Sequence, residues 1–100
     1  VSIYPRWDFL LLAANQLVNH LDKYHLWGWK PRMLIRVGVG ATKPLNAGPQ
    51  HSQDHTEAFR QMLTHVHIIK LDKPEYVFAQ YSLALSMERP VLMVEYMEKY

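Results

Sequence analysis

Met33-Leu34-Ile35-Arg36-Val37-Gly38-Val39 is the stretch that decides the fold. It is rich in β-branched residues and almost continuously apolar, the pattern of a strand covered on both faces rather than one. It is therefore expected as a central strand of a sheet. Two later runs read the same way. Val66-His67-Ile68-Ile69-Lys70-Leu71 is one, and Pro90-Val91-Leu92-Met93-Val94-Glu95 is the other. Pro90 suits the first position of a strand, where its missing N–H costs no ladder bond.

Helical patterns alternate with these strands. From Trp7 to about Lys23, Leu10, Ala13, Ala14, Leu17, Val18 and Leu21 recur at three- and four-residue steps and mark a buried face. Leu11 and Leu12 widen that stripe, so cover on more than one side is expected. Asp8 in the first turn and Lys23 in the last agree with the helix dipole. A second helix is expected from Thr56 to about His65, capped by Asp54 or Thr56 and burying Ala58, Phe59, Met62 and Leu63. A third is expected from Tyr76 to Met87, with Asp72 as cap and Pro74 and Glu75 as start signals. Its inward residues are expected to be Val77, Ala79 or Tyr81, Ala84 and Leu85. Strands separated by helices imply right-handed crossovers and a mostly parallel sheet. The expected class is α/β, a three-layer domain.

The remaining segments are connections. Ser2-Ile3-Tyr4 reads as a strand end or a loop, and Pro5 punctuates it. Tyr24 to Pro31 is aromatic and irregular, with Gly28 suited to a turn. Gly40 to Gly48 is a loop containing Pro44 and Asn46.

Composition bounds the function. One hundred residues make one small domain at most. Eleven basic and nine acidic side chains give a net charge of +2, too balanced for a nucleic-acid stripe or a polybasic membrane anchor. No cysteine is present, which excludes disulfides, zinc–thiolate sites and a thiol nucleophile. The longest apolar run, Phe9 to Ala14, stops at Asn15, far short of a membrane span. No signal-peptide pattern is visible, and a cytoplasmic or organelle-matrix location is expected rather than secretion. Residues 1–100, opening on Val1, are expected to be part of one domain, a fragment of a longer protein.

The candidate chemistry sits in Gly48-Pro49-Gln50-His51-Ser52-Gln53, between the first strand and the second helix. Polar, turn-prone residues there make a poor core, and this is where α/β folds hold their ligands. His51 and His55 are four apart, a metal-ligand spacing on a helix. His51 is expected in the loop, however, and no third ligand is evident, so no metal site is expected. Ser52 adjoins His51, but the Gly-x-Ser-x-Gly elbow of a nucleophilic serine is absent. Gly38-Val39-Gly40 opens like a dinucleotide fingerprint, but Lys43 stands where the third glycine belongs. His20, His25, His65 and His67 read as structural or solvated. Trp27 and Trp29 read as packing residues.

The order of motifs resembles a known family. Phe9-x6-Gln16-x-x-Asn19 precedes the apolar strand with Arg36-x-x-x-Gly40. Gln50-His51-Ser52-Gln53 and Glu57-Ala58-Phe59 follow, then Ile68-Ile69-Lys70-Leu71, and Arg89-Pro90-Val91 with Glu95. This resembles the β subunit of the E1 component of 2-oxoacid dehydrogenases, within the pyrimidine-binding domain shared with transketolases. The resemblance covers nearly the whole chain and is most specific at the His-Ser-Gln loop.

The resemblance implies an incomplete transketolase-like pyrimidine-binding fold and thiamin diphosphate as cofactor. The diphosphate and its Mg²⁺ would be held by a partner, an E1 α-type subunit or diphosphate-binding domain. A homo- or hetero-oligomer follows, with a lipoyl domain as a further partner and neither nucleic acid nor membrane. The parent would catalyse oxidative decarboxylation of a 2-oxoacid and acyl transfer; the isolated fragment is expected to be inactive. His51 would be the catalytic histidine facing cofactor and substrate. Phe9 and Trp7 fall where the family lines the aminopyrimidine pocket. Gln50, Ser52 and Gln53 would shape the substrate loop.

Departures from the family accompany the match. The glutamate that activates the cofactor lies upstream of this stretch in the family, and its role does not transfer to Glu57, Glu75 or Glu95. Many β subunits hold a structural potassium ion with an Asp near the end of the third helix, where this chain has Met87. Lys43 and Pro44 depart from the family's small residues. Two alternatives remain: a transketolase-like or deoxyxylulose-phosphate-synthase-like enzyme domain, and a non-catalytic α/β interaction domain.

Overall fold

A computed structural model describes residues 5–41, 43 and 46–99. Ser2-Ile3-Tyr4 and Pro44 lie outside the described residues. Three strands form: β1 (Leu34–Val39), β2 (His67–Leu71) and β3 (Val91–Tyr96). Both pairings are parallel, in the order β1-β3-β2. The strand expected at the centre is therefore displaced to a flank, and β3 takes the middle. Charge explains the exchange. β1 carries Arg36 and β2 carries Lys70, long cations whose heads must reach water or a partner. β3 has no charged residue before Glu95, and Val91 to Glu95 are all buried. Outside β1, Arg6 makes an isolated parallel bridge to Gly38, whose N–H donates to the Pro5 carbonyl at 2.8 Å.

The first helical segment begins as α1 (Trp7–Leu10), tightens to a 3-10 turn at Leu11–Ala13, and widens to a π-helical turn at Gln16–Leu21. Through those changes of pitch, Trp7, Leu10, Leu17 and Leu21 stay buried, with Ala13, Ala14 and Val18 packed beside them. Leu11 and Leu12 do not extend this face, and Leu12 is 85% exposed. Helix α2 spans Thr56–Met62 and stops where Leu63 turns extended at ψ 134°. The early stop leaves Phe59 and Leu63 buried but Met62 and Ala58 exposed, contrary to the expected four-residue face. Helix α3 spans Val77–Ser86 after a 3-10 turn at Pro74–Tyr76. The position before that turn is Lys73, with no side-chain cap, so Asp72 does not start the helix as expected. Ala84 is buried and Val77 and Tyr81 pack inward, whereas Leu85 and Ala79 face out.

Strand alternation sorts the core into two layers. Val37, Leu92, Val94 and Ile68 face the first helical segment and α2. Val91, Met93, Ile69 and Leu71 face α3. The result is a small α/β domain with helices on both faces of a parallel sheet.

One buried charge ties the first helical segment to the start of β2. Asp22 is 0% exposed. Its carboxylate accepts the N–H groups of Thr64, His65 and Val66 at 2.7–3.1 Å and the Thr64 hydroxyl at 2.9 Å. Burial alone would raise its pKa, but these donors, with the Lys23 ammonium at 2.9 Å, hold it far below the usual carboxylate range.

Candidate active site

The carboxyl ends of parallel strands are the open end of such a sheet, and the loop after β1 returns there. Gly48 takes φ 89°, a left-handed conformation that only glycine adopts without steric cost, and begins the 3-10 turn Pro49–His51. The Gly48 carbonyl accepts from the His51 N–H at 3.1 Å and the Ser52 hydroxyl at 2.8 Å. Its own N–H donates to the Asn46 side chain at 3.0 Å. The turn is thus closed by its own polar groups, and the Ser52 hydroxyl is committed to a backbone carbonyl.

Long-range contacts fix where that turn sits. Arg6 Nη1 donates to the His51 carbonyl at 2.5 Å. Gly40, just past β1, lies directly beneath: a Cβ there would stand 2.8 Å from the His51 oxygen, 3.2 Å from Ser52 Cα, and in collision with Arg6 Nη1. Gln53 Nε2 donates to Asp8 Oδ1 at 2.8 Å, and His55 Nε2 lies 3.5 Å from the same oxygen.

The two aromatic candidates separate. Trp7 has no exposed surface, donates from Nε1 to the Thr56 hydroxyl at 3.1 Å and stacks on Phe59 at 4.8 Å. It is a core ring beneath the site. Phe9 is 54% exposed and lies nearly parallel to the His51 imidazole, 16° between planes and 5.6 Å between centres. Of the two candidates, Phe9 is the one with a face open to solvent. Gln50 is exposed in the same turn.

A second polar chain supports the wall. Asp54 accepts the Thr56 hydroxyl at 2.5 Å and N–H at 3.0 Å, and the Tyr96 hydroxyl at 2.8 Å. Burial pushes the Asp54 carboxyl up, but these three donors outweigh it and hold it below its ordinary value. The chain runs from the end of β3 through Asp54 and Thr56 to Trp7, linking the sheet to α1.

Sequence reasoning located His51, Ser52, Gln53 and Phe9 in one place and missed Arg6, Asp8, Gly40 and Tyr96. Arg6 and Asp8 flank Trp7, and opposite charges straddling a buried ring were the available signal. The position before α2 is His55, with no side-chain cap, so neither Asp54 nor Thr56 stands at the cap position as expected; Asp54, one residue earlier, accepts the Thr56 N–H and the Tyr96 hydroxyl instead. Two of the glutamates are engaged elsewhere. Glu95 is buried against Arg36 and Tyr81, and Glu57 pairs with Lys70 at 2.9 Å. Among the described residues, no group of three His, Cys, Asp or Glu side chains is placed to hold a metal ion. No helix among them is long and apolar enough to cross a membrane. The Leu85 carbonyl near the end of α3, close to Met87, accepts from Arg32 Nη2 at 2.7 Å.

No protein-family model matches the chain, and neither does any curated protein or solved structure. What the described residues define is a small α/β domain with a three-stranded parallel sheet and a braced histidine loop at its carboxyl end.

Proposed function

We propose that this chain is part of the pyrimidine-binding domain of a thiamin-diphosphate-dependent 2-oxoacid dehydrogenase, the β subunit of its E1 component. The observation that carries the reading is the Phe9–His51 pair, an exposed aromatic face beside an imidazole at the carboxyl end of a parallel sheet. Such a face suits a heteroaromatic ring, and an imidazole can both donate and accept a hydrogen bond. In this reading Phe9 packs on the aminopyrimidine while Trp7 holds α1 in place from below. His51 donates a hydrogen bond to the 2-oxoacid or exchanges a proton with it. Arg6 and Gly40 set the height of the His51 backbone, and Gln53 and Asp8 fix the far end of the loop. The cofactor supplies the carbanion chemistry of decarboxylation, and a partner carrying the Mg²⁺–diphosphate site completes the pocket.

A second reading, a non-catalytic α/β interaction domain, is favoured by the outer face of α3, where Phe78 is 86% exposed beside Leu85. One experiment separates the two. The full-length chain is co-expressed with an α-type subunit, and cofactor-dependent 2-oxoacid decarboxylation is measured for wild type and His51→Ala. The enzyme reading expects cofactor binding and a loss of turnover in the variant of about a hundredfold or more. Assembly without cofactor binding would leave the interaction domain. Binding with unchanged turnover would remove only the role given to His51.

A further inference from the structure

At the other end of the sheet, before β2 and β3, lies a cavity of about 200 Å³. Its wall includes Arg60 at the end of α2, Thr64, His65 and His67 around the start of β2, and Arg89 just before β3. Arg89 Nη2 stands 3.4 Å from His65 Nδ1. A guanidinium has only protons to offer, so it meets the Nδ1 lone pair, and neutral His65 carries its proton on Nε2. That Nε2 is buried without a hydrogen-bond partner, as is Nδ1 of His25, whose ring stacks on His65 at 3.8 Å. Buried polar atoms rarely go unpaired in folded proteins, and this cluster holds two.

The charge balance of the wall is one-sided. Among the described residues no carboxylate pairs with Arg89, and the partner of Arg60, exposed Glu57, is shared with Lys70. The nearest buried acid, Asp22, already accepts the N–H groups of 64–66. Both histidines are held below their ordinary range. Burial is the main cause, with His25 and Arg89 acting on His65, and Arg89 and Arg60 on His67. The carboxyl end of α2 opposes an anion, but with roughly half an elementary charge against two full guanidinium charges.

We propose that this cavity binds a phosphate group, either as free phosphate or as the monoester of a small molecule. Arg89 and Arg60 give it charge-assisted hydrogen bonds, and His65 and His67 complete the rim. The site lies across the sheet from His51 and does not rest on the function proposed for that loop.

The test is a titration of the full chain with inorganic phosphate, and separately with glycerol phosphate, followed through the histidine ring resonances. Saturable shifts of His65 and His67 are expected, with His51 unmoved and a midpoint of about 1 mM or below. Sodium chloride at matched ionic strength should not reproduce them. Tighter binding of the monoester assigns the site to a phosphorylated small molecule, and equal binding assigns it to free phosphate. Arg89→Lys, which keeps the charge but loses the fork, should weaken binding about tenfold. Arg60→Ala, at an exposed position, should weaken it as well, so the test survives if Arg89→Lys fails to fold. Shifts that do not saturate, that chloride reproduces, or that persist at equal affinity in both arginine variants would overturn the proposal.

Discussion

The carboxylate of Asp22 accepts the backbone N–H of Val66 at 2.8 Å, across 44 positions of sequence. It accepts those of Thr64 and His65 as well, so one side chain does for the start of β2 what a helix cap does for a helix. Its folded pKa is depressed, so its stabilisation is complete above the unfolded value and is lost as pH falls. Loss of stability should therefore begin below about pH 4 and deepen with further acid. Asp22→Ala leaves three N–H donors without their acceptor, that of Val66 buried and those of Thr64 and His65 closer to solvent, and should cost roughly 2–3 kcal/mol in denaturant unfolding at neutral pH. It should also flatten the acid limb of the stability profile. An acid limb of unchanged slope in the variant would refute this account.

Gly40→Ala probes the floor of the histidine turn. The added Cβ meets the His51 carbonyl, Ser52 Cα and the Arg6 guanidinium at once, and two of the three are backbone. The backbone contacts cannot swing away, so the turn must lift. A cost of about 1–3 kcal/mol is expected, as for overpacking elsewhere. Amide shifts should concentrate at 48–53 and Arg6 in a heteronuclear spectrum. Alanine at Gly28 makes a useful control, since that glycine also has positive φ but open space around it. Its strain should stay local, with no change at His51.

Arg36, Glu95 and Tyr81 form a network on the α3 face of the sheet. Glu95 is buried, receives Arg36 Nη2 at 2.9 Å and accepts the Tyr81 hydroxyl at 2.9 Å. Burial and the bond to Glu95 push the Tyr81 phenol up to about 12. A raised pKa means its contribution is full below the unfolded value near 10 and is lost as pH climbs through the folded one. Burial and the bond to Asp54 raise the Tyr96 phenol as well, so an ultraviolet titration should show more than one late-ionising tyrosine, and Tyr81→Phe should remove one of them. Arg36→Leu, which strands a buried carboxylate, should cost about 3–5 kcal/mol, and adding Glu95→Leu should recover much of it. No recovery in the double variant would show that the arginine stem, not the charge pair, supplies the stability.

How much of this could be read from the residues follows from what each signal depends on. Apolar runs and three-to-four spacing are local properties, and they located all three strands and helices. Which strand is central depends on burial by the rest of the chain; only the lone charges of Arg36 and Lys70 hinted at it. The outer faces of the helices misled for a related reason. Leu12, Met62 and Leu85 look like core residues in one dimension, yet they lie beyond what a three-stranded sheet can cover. The histidine turn was visible because Gly48-Pro49 is a local stop signal. Its braces were not, because Arg6, Gly40 and Asp8 reach it across long separations. Asp22, at a helix end, looks in sequence like any solvated acid.

The Phe9–His51 stack makes the last prediction, and it bears on both stability and the proposed site. Ring planes 16° apart with centres 5.6 Å apart place the imidazole protons within the ring-current field of the phenyl ring. Phe9→Ala should therefore shift the His51 ring protons while leaving those of His55, which stands edge-on to Trp7, nearly in place. Stability should change little, since Phe9 is largely exposed. If the face serves a heteroaromatic cofactor, the same variant should weaken thiamin-diphosphate binding by the assembled enzyme about three- to tenfold. That factor corresponds to the roughly 0.5–1.5 kcal/mol of a stacked aromatic pair. Phe9→Tyr keeps the ring and should retain most of the affinity. Equal affinity in wild type and Phe9→Ala, with the His51 shift nonetheless observed, would leave the stack intact as structure and strip it of its proposed part in binding.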